Sequence, residues 1–180
     1  MPIKEVLRKT IKVLKQTKVR YALTGGIAVD FYGFPRATFD IDVMVELSKE
    51  NLPRLVSSLQ KGGFRVHPSE VKVMQEKGNR FVAHLGPYRI DFWLARTEAQ
   101  KEELDRAKMV TILGMRARLI APEDLIIHKL EAGRGKDYDD VVGVLVRQKG
   151  KINMEYLKQR AAALGLNGCL RELLREAGMG

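Results

Sequence analysis

Apolar residues recur at Ile3, Val6, Leu7, Ile11, Val13 and Leu14, with lysines and arginines between them. That spacing predicts an amphipathic helix over residues 3–17. Tyr21-Ala22-Leu23-Thr24 reads as a short buried strand ending at Gly25-Gly26. Residues 27–32 then read as a helix ending near Gly33, because Pro35 blocks its continuation. Residues 38–46 alternate as a strand. Asn51 to Leu59 reads as a helix after a Ser48 cap, closed by Gly62-Gly63. Residues 64–66 suggest a strand, and residues 70–78 are polar and open to either reading. Arg80 to Leu85 and Tyr88 to Leu94 predict two strands joined across Gly86-Pro87. A helix over 98–107 precedes a second hairpin, Val110 to Leu113 and Met115 to Leu119, around Gly114. Pro122 suits the first turn of a helix over 122–132. Three more helices are expected over 137–148, 153–164 and 168–177.

This order points to an α+β fold of α/β-like character, a mixed β-sheet core followed by a C-terminal helical cluster. We expect a core over residues 1–120 and a helical region over 121–180 packed on it as one unit. No stretch rich in Pro, Gly or Ser separates the two, and no internal repeat is present.

Composition narrows the picture. The 180 residues and 45% hydrophobic content suit one domain with a real core. Cys169 is the single cysteine, so no intrachain disulfide forms, which fits a reducing compartment. No run of about 18 apolar residues exists, so the expectation is a cytoplasmic protein with no membrane partner. The net charge of +10, from 32 basic and 22 acidic residues, favours polyanions or nucleotides as partners. It equally suits a merely soluble surface.

The chemistry centres on Thr38-Phe39-Asp40-Ile41-Asp42-Val43. On a strand, residues i and i+2 share a face, so Asp40 and Asp42 project together. Adjacent carboxylates repel unless a cation joins them, and oxygen ligands suit Mg²⁺, with Mn²⁺ as the alternative. Asp91 sits in the apolar run Tyr88-Arg89-Ile90-Asp91-Phe92-Trp93-Leu94, where an unpaired charge is costly and a metal would relieve it. Three such carboxylates can hold two metal ions about 3.5–4 Å apart for phosphoryl transfer. Upstream, Gly25-Gly26 follows a strand and opens a helix. Glycine permits close approach to phosphate, the helix start supplies free N–H groups, and Thr24 adds a hydroxyl.

Leu23-Thr24-Gly25-Gly26, then Arg36-Ala37-Thr38-Phe39-Asp40-Ile41-Asp42-Val43, then Ile90-Asp91-Phe92 resembles the nucleotidyltransferase superfamily of the DNA polymerase β type. A second stretch, Leu119 to Leu130 followed by Arg134-Gly135-Lys136-Asp137-Tyr138-Asp139-Asp140-Val141, looks like the small prokaryotic branch that includes AbiEii-like toxins. The resemblance implies metal binding by Asp40, Asp42 and Asp91. It implies Lys129 for the triphosphate and Asp137 as a base or positioning group. It places Thr24, Gly25, Gly26, Arg36 and Thr38 around the nucleotide. It further implies an NTP substrate, a hydroxyl acceptor that is RNA or tRNA, a small molecule such as an antibiotic, or a protein, and, for a toxin, a cognate antitoxin.

Other readings stand beside this one. The chain could be a non-catalytic protein of the same fold that binds nucleotide or a partner. A glycosyltransferase also uses Asp-x-Asp with Mn²⁺, but is normally larger. His67, His84 and His128 show no ligand spacing and read as structural or surface residues. Trp93 reads as core, and Cys169 as a small packed side chain.

Overall fold

A computed structural model describes residues 1–76 and 78–180, with the backbone alone for residues 73–76. The first half runs α1 (Ile3–Thr17), β1 (Arg20–Thr24), α2 (Gly25–Tyr32), β2 (Asp40–Glu46), α3 (Asn51–Lys61), β3 (Arg65–Val66) and α4 (Pro68–Glu76). The hairpin β4 (Arg80–Leu85) and β5 (Tyr88–Leu94) follows, then α5 (Glu98–Arg106), β6 (Lys108–Ile112) and β7 (Met115–Leu119). Helices α6 (Pro122–Ala132), α7 (Gly135–Arg147), α8 (Met154–Ala163) and α9 (Asn167–Glu176) complete the chain. This is the mixed-sheet α+β architecture that the pattern predicts. Of the segment open to either reading, residues 70–78, the first seven residues belong to α4, and residue 77 lies outside the described residues.

The strands form one seven-stranded sheet in the order β3-β4-β5-β2-β1-β7-β6. Strand β2 pairs antiparallel with β1 and parallel with β5, and β1 runs parallel to β7. The two outer pairs, β4–β5 and β6–β7, are antiparallel hairpins. Positive φ at Gly86 (60°), and at Leu113 (50°) with Gly114 (80°), closes them.

Alternation along the central strands separates two faces. Ile41, Val43, Val45, Ile90 and Phe92 are fully buried in the core. Phe81 stacks on Phe92 there, with ring centroids 4.7 Å apart. Removing such a buried ring costs about 3–5 kcal/mol. Helix α1 adds Val6, Leu7, Ile11 and Leu14 to the same core, and its apolar stripe follows from the i, i+3, i+4 spacing.

The C-terminal helices are tied in by a buried polar knot. Glu103 of α5 accepts from Arg160 of α8 and lies 2.8 Å from His128 of α6. Asp124 accepts from the Tyr156 hydroxyl at 2.6 Å and from Arg106. Glu123 accepts from Arg106 and from the Asn153 backbone. His128 therefore has a structural ion-pair partner, consistent with its reading above. Helix α6 starts on Pro122 and ends at Gly133 in the left-handed conformation, φ 65°.

Candidate active site

The sheet register sets the carboxylates in place. Thr24 pairs with Asp42, Asp42 with Asp91, and Asp91 with Val82, a single row across β1, β2, β5 and β4. One step along, Asp40 pairs with Arg89 and Arg89 with His84. On the other side, Met44 pairs with Trp93 and Trp93 with Arg80. Directly opposed residues share a face, so Asp40, Asp42 and Asp91 project from the same side of the sheet.

Their surroundings differ. Asp40 is exposed, Asp42 is partly buried and Asp91 is 4% exposed. Asp42 Oδ1 accepts from the Trp93 indole N–H at 3.1 Å. Burial raises the Asp42 pKa. The Trp93 bond and Lys129 oppose that rise, while the Asp91 and Asp40 carboxylates add to it. Asp91 Oδ1 accepts from Arg80 at 2.6 Å and Arg89 at 2.7 Å. The relief that the sequence argument assigned to a metal is thus given by two guanidinium groups. Neither arginine belongs to the glycine-pair or Asp-x-Asp motif. Arg89 lies two residues from Asp91 on one strand, so its shared face was readable; Arg80 needed the hairpin register.

Trp93 corrects a second expectation. Its side chain is not core: the residue is 38% exposed, with the Arg80 guanidinium stacked 4.9 Å from the ring centre. Alternation puts Trp93 on the Asp91 face rather than with Phe92.

The glycine pair lies within the first turn of α2, earlier than expected. Gly25 has φ 60°, and a Cβ there would come within 2.0 Å of Asp42 Oδ2. A Cβ at Gly26 would meet Thr38 Oγ1 at 2.5 Å. Both positions therefore require glycine because the carboxylate and the hydroxyl close in on the backbone. Thr24 is buried and precedes α2 without a side-chain cap bond. Thr38 lies in the approach to β2, and its hydroxyl donates to the Asp40 carbonyl at 3.2 Å.

Lys129 and Asp137 form a separate cluster beside this row. Lys129 is 7% exposed, and its ammonium sits 2.9 Å from Asp137 and 2.8 Å from Asp140. Arg134 also bonds Asp137, and Arg36 grips Asp140 with Nε at 2.8 Å and Nη2 at 2.9 Å. Burial alone would raise the Asp137 pKa, but Arg134 and Lys129 bring it down to about 2. Asp140 is lowered in the same way: Arg36 and Lys129 outweigh its burial. Two aspartates three residues apart on α7 thus share one lysine from α6. Arg36, expected near the nucleotide, has its guanidinium on Asp140.

The donor chemistry at the row suits a hard divalent cation. Asp40 and Asp42 offer carboxylate oxygens from one face, and a cation would reverse the rise in the Asp42 pKa. Asp91 is in register with them but committed to its arginines. Among the described residues, no three His, Cys, Asp or Glu side chains converge closely enough to hold a metal as they stand.

Several solved structures share this fold. The solution structure of the antibiotic-resistance factor ANT(2'')-Ia has a TM-score of 0.65 at 16% identity, with 98% of this chain and 99% of that one covered. The lincomycin-bound lincosamide antibiotic adenylyltransferase LnuA has a TM-score of 0.56 at 16% identity, covering 80% and 96%. An antigenic nucleotidyltransferase-like protein from Paracoccidioides brasiliensis gives 0.54 at 17% identity, covering 93% and 87%. At these identities the likeness is one of fold, and the fold is that of nucleotidyltransferases. No curated protein matches the sequence. The family model for nucleotidyltransferases of unknown function, DUF6036, matches residues 3–167, and the chain belongs to that family. No described helix is long and apolar enough to cross a membrane.

Proposed function

We propose that this chain transfers an NMP unit from an NTP to a hydroxyl of an RNA acceptor, with release of pyrophosphate. The observation that carries the reading is the contact between Gly25 and Asp42. A left-handed glycine at the start of α2 lies against the carboxylate that sits in line with Asp91. That arrangement sets the free N–H groups of a helix start beside carboxylate oxygens, which supports phosphate and cation binding there. Asp40 and Asp42 would hold two Mg²⁺ ions, or Mn²⁺, and Asp91 would join them only through Oδ2, since both arginines bond its Oδ1. When bound, the metal supplies charge neutralisation to the triphosphate and the departing pyrophosphate.

The chain's own residues do the rest. The α2 N-terminus receives the phosphates, with Thr24 and Thr38 at its edges. The cluster of Lys129, Asp137, Asp140, Arg36 and Arg134 acts as a rigid electrostatic support, with Lys129 favouring the charged form of Asp42. The exposed faces of Phe39 and Trp93 are available for base stacking. Residues 1–120 and 121–180 work as one unit, since Lys129 reaches Asp42 electrostatically across that boundary. An RNA acceptor is supported by the +10 charge. A toxin role with a cognate antitoxin rests on the resemblance of residues 119–141 alone.

Incubation with each radiolabelled NTP, Mg²⁺ and total RNA tests the proposal. We expect label on RNA with wild type and none with a well-folded Asp42→Ala protein. An active Asp42→Ala protein refutes the assignment. The pairing of Asp91 with Arg80 and Arg89 favours a second reading, a non-catalytic nucleotide- or partner-binding protein. Nucleotide binding without turnover in the same assay would select it. Label on a small hydroxylated molecule, as in the antibiotic adenylyltransferases of similar fold, would keep the chemistry and replace the acceptor.

A further inference from the structure

The positive charge of this protein is unevenly placed. Residues 1–20 hold seven basic side chains and one acid, a surplus of six out of the chain's ten. Lys4, Arg8, Lys9, Lys12 and Lys15 are all exposed on α1, with Glu5 the sole acid. Helix stability explains only part of this pattern: Glu5 in the first turn, the Glu5–Lys9 pair and Lys15 in the last turn, bonded to the Arg116 carbonyl, suit the helix, and the other cations do not. Lys4 and Arg8, and Arg8 and Lys12, are like-charge neighbours at i,i+4, and Lys4 lies in the first turn, where the macrodipole disfavours a cation. Solubility does not require the cations on one helix.

The basic strip continues beyond α1. Lys18 ends the helix at φ 56° and lines a cleft of about 980 Å³ together with Arg20, Lys49, Arg96, Lys101 and Glu46. Arg20 bonds Glu46 and Asp105, and Lys101 bonds Glu98. Lys18 makes no side-chain hydrogen bond or ion pair among the described residues, and Lys49 has only the electrostatic pull of the exposed Glu50 beside it. The cleft lies at the far end of the catalytic strands. Arg20 pairs with Glu46 in the register that pairs Thr24 with Asp42, four residues along, or about 13 Å at 3.3 Å per residue.

We propose that the outer face of α1 and this adjoining cleft form a binding surface for the phosphate backbone of RNA. The proposal deepens the acceptor reading above and rests on it for the choice of RNA as the polyanion. The cations step along α1 in register with its turns and lead to a cleft within half a duplex turn of the carboxylate row. A strand held in the cleft can therefore reach the site, while its continuation runs along α1, which backs the core face of the sheet. An anionic membrane is the less suitable occupant. A basic amphipathic helix binds lipid by inserting its apolar face, and here Val6, Leu7, Ile11 and Leu14 are buried in the core.

Filter binding of radiolabelled tRNA, without NTP, tests this over a salt series. Wild type should bind with a strongly salt-dependent affinity. The variant Arg8→Glu/Lys9→Glu/Lys12→Glu changes three exposed residues outside the candidate catalytic site. It should weaken binding at least about tenfold at low salt and flatten the slope of log K against log[salt] by about two units. A milder Arg8→Gln/Lys9→Gln/Lys12→Gln protein, with an unchanged helical spectrum, guards against misfolding and should show an intermediate loss. Unchanged affinity and slope in both variants overturns the proposal. So does binding to phosphatidylserine vesicles that responds to the substitutions while tRNA binding does not. Wild type that binds tRNA by this surface yet transfers no label would refute the catalytic reading and leave this one standing.

Discussion

Gly25 and Gly86 share the same backbone angle, φ 60°, and differ in what surrounds them. A Cβ at Gly86 would meet nothing within 4 Å, whereas at Gly25 it would lie 2.0 Å from Asp42 Oδ2. Alanine at either position adopts the left-handed region at about 1–2 kcal/mol, partly offset by about 0.4–1 kcal/mol from a less flexible unfolded chain. Gly86→Ala should therefore lose about 0–1.6 kcal/mol in urea unfolding and keep its activity. Gly25→Ala carries the same backbone term and must also move the whole Asp42 side chain by about 1 Å, since its Oδ2, Cγ and Cβ would lie 2.0, 2.6 and 2.8 Å from the new methyl. That shift breaks the Trp93–Asp42 bond, a further loss of about 1 kcal/mol. A displacement of that size beside the reacting groups lowers transfer by about 100-fold. Mn²⁺ affinity, read by electron paramagnetic resonance, should fall in Gly25→Ala alone. If the two variants behave alike in transfer and Mn²⁺ binding, the Gly25–Asp42 contact has no part in function.

Other consequences follow from the charges. Asp42 has a raised pKa when folded, so it binds protons more tightly than in the unfolded chain, and its ionisation weakens the fold as pH rises through that value. Asp42→Asn should therefore stabilise the metal-free protein at pH 7, by chemical denaturation, while abolishing transfer. Asp137 runs the other way: its pKa of about 2 lies below the ordinary value of 3.8, so its stabilisation is present above about pH 4 and lost as pH falls towards 2. The shift corresponds to about 2 kcal/mol, and Asp137→Asn should flatten that part of the acid-denaturation curve. Lys129→Met removes the shared partner of two buried aspartates and should cost about 3 kcal/mol, the lower end for a broken buried pair because Arg134 and Arg36 remain.

Much of this fold is legible from residue patterning. Both hairpins, the strand bearing Asp91 and the helix from Pro122 to Ala132 follow from period-2 alternation, glycine turns and proline at a helix start. What escapes is the side chains' choice of partner. The i, i+2 rule groups Asp40 with Asp42, yet it does not say that β5 runs parallel beside β2 with Asp91 next to Asp42. Lys129 illustrates the same gap. Its helix reads as amphipathic, and a lysine on such a helix is as often solvated as not. Only the packing of α7 against α6 shows that two aspartates enclose it. Trp93 is misread because its apolar neighbours suggest burial, while its parity assigns it to the open face.

That indole offers an experimental convenience. Trp93 is the sole tryptophan in the chain, and its N–H is bonded to Asp42. Intrinsic emission excited at the indole band therefore comes from one group touching one carboxylate. Any ligand that engages Asp42 alters the dipole next to the ring, so the unlabelled protein can be titrated optically with metal or nucleotide.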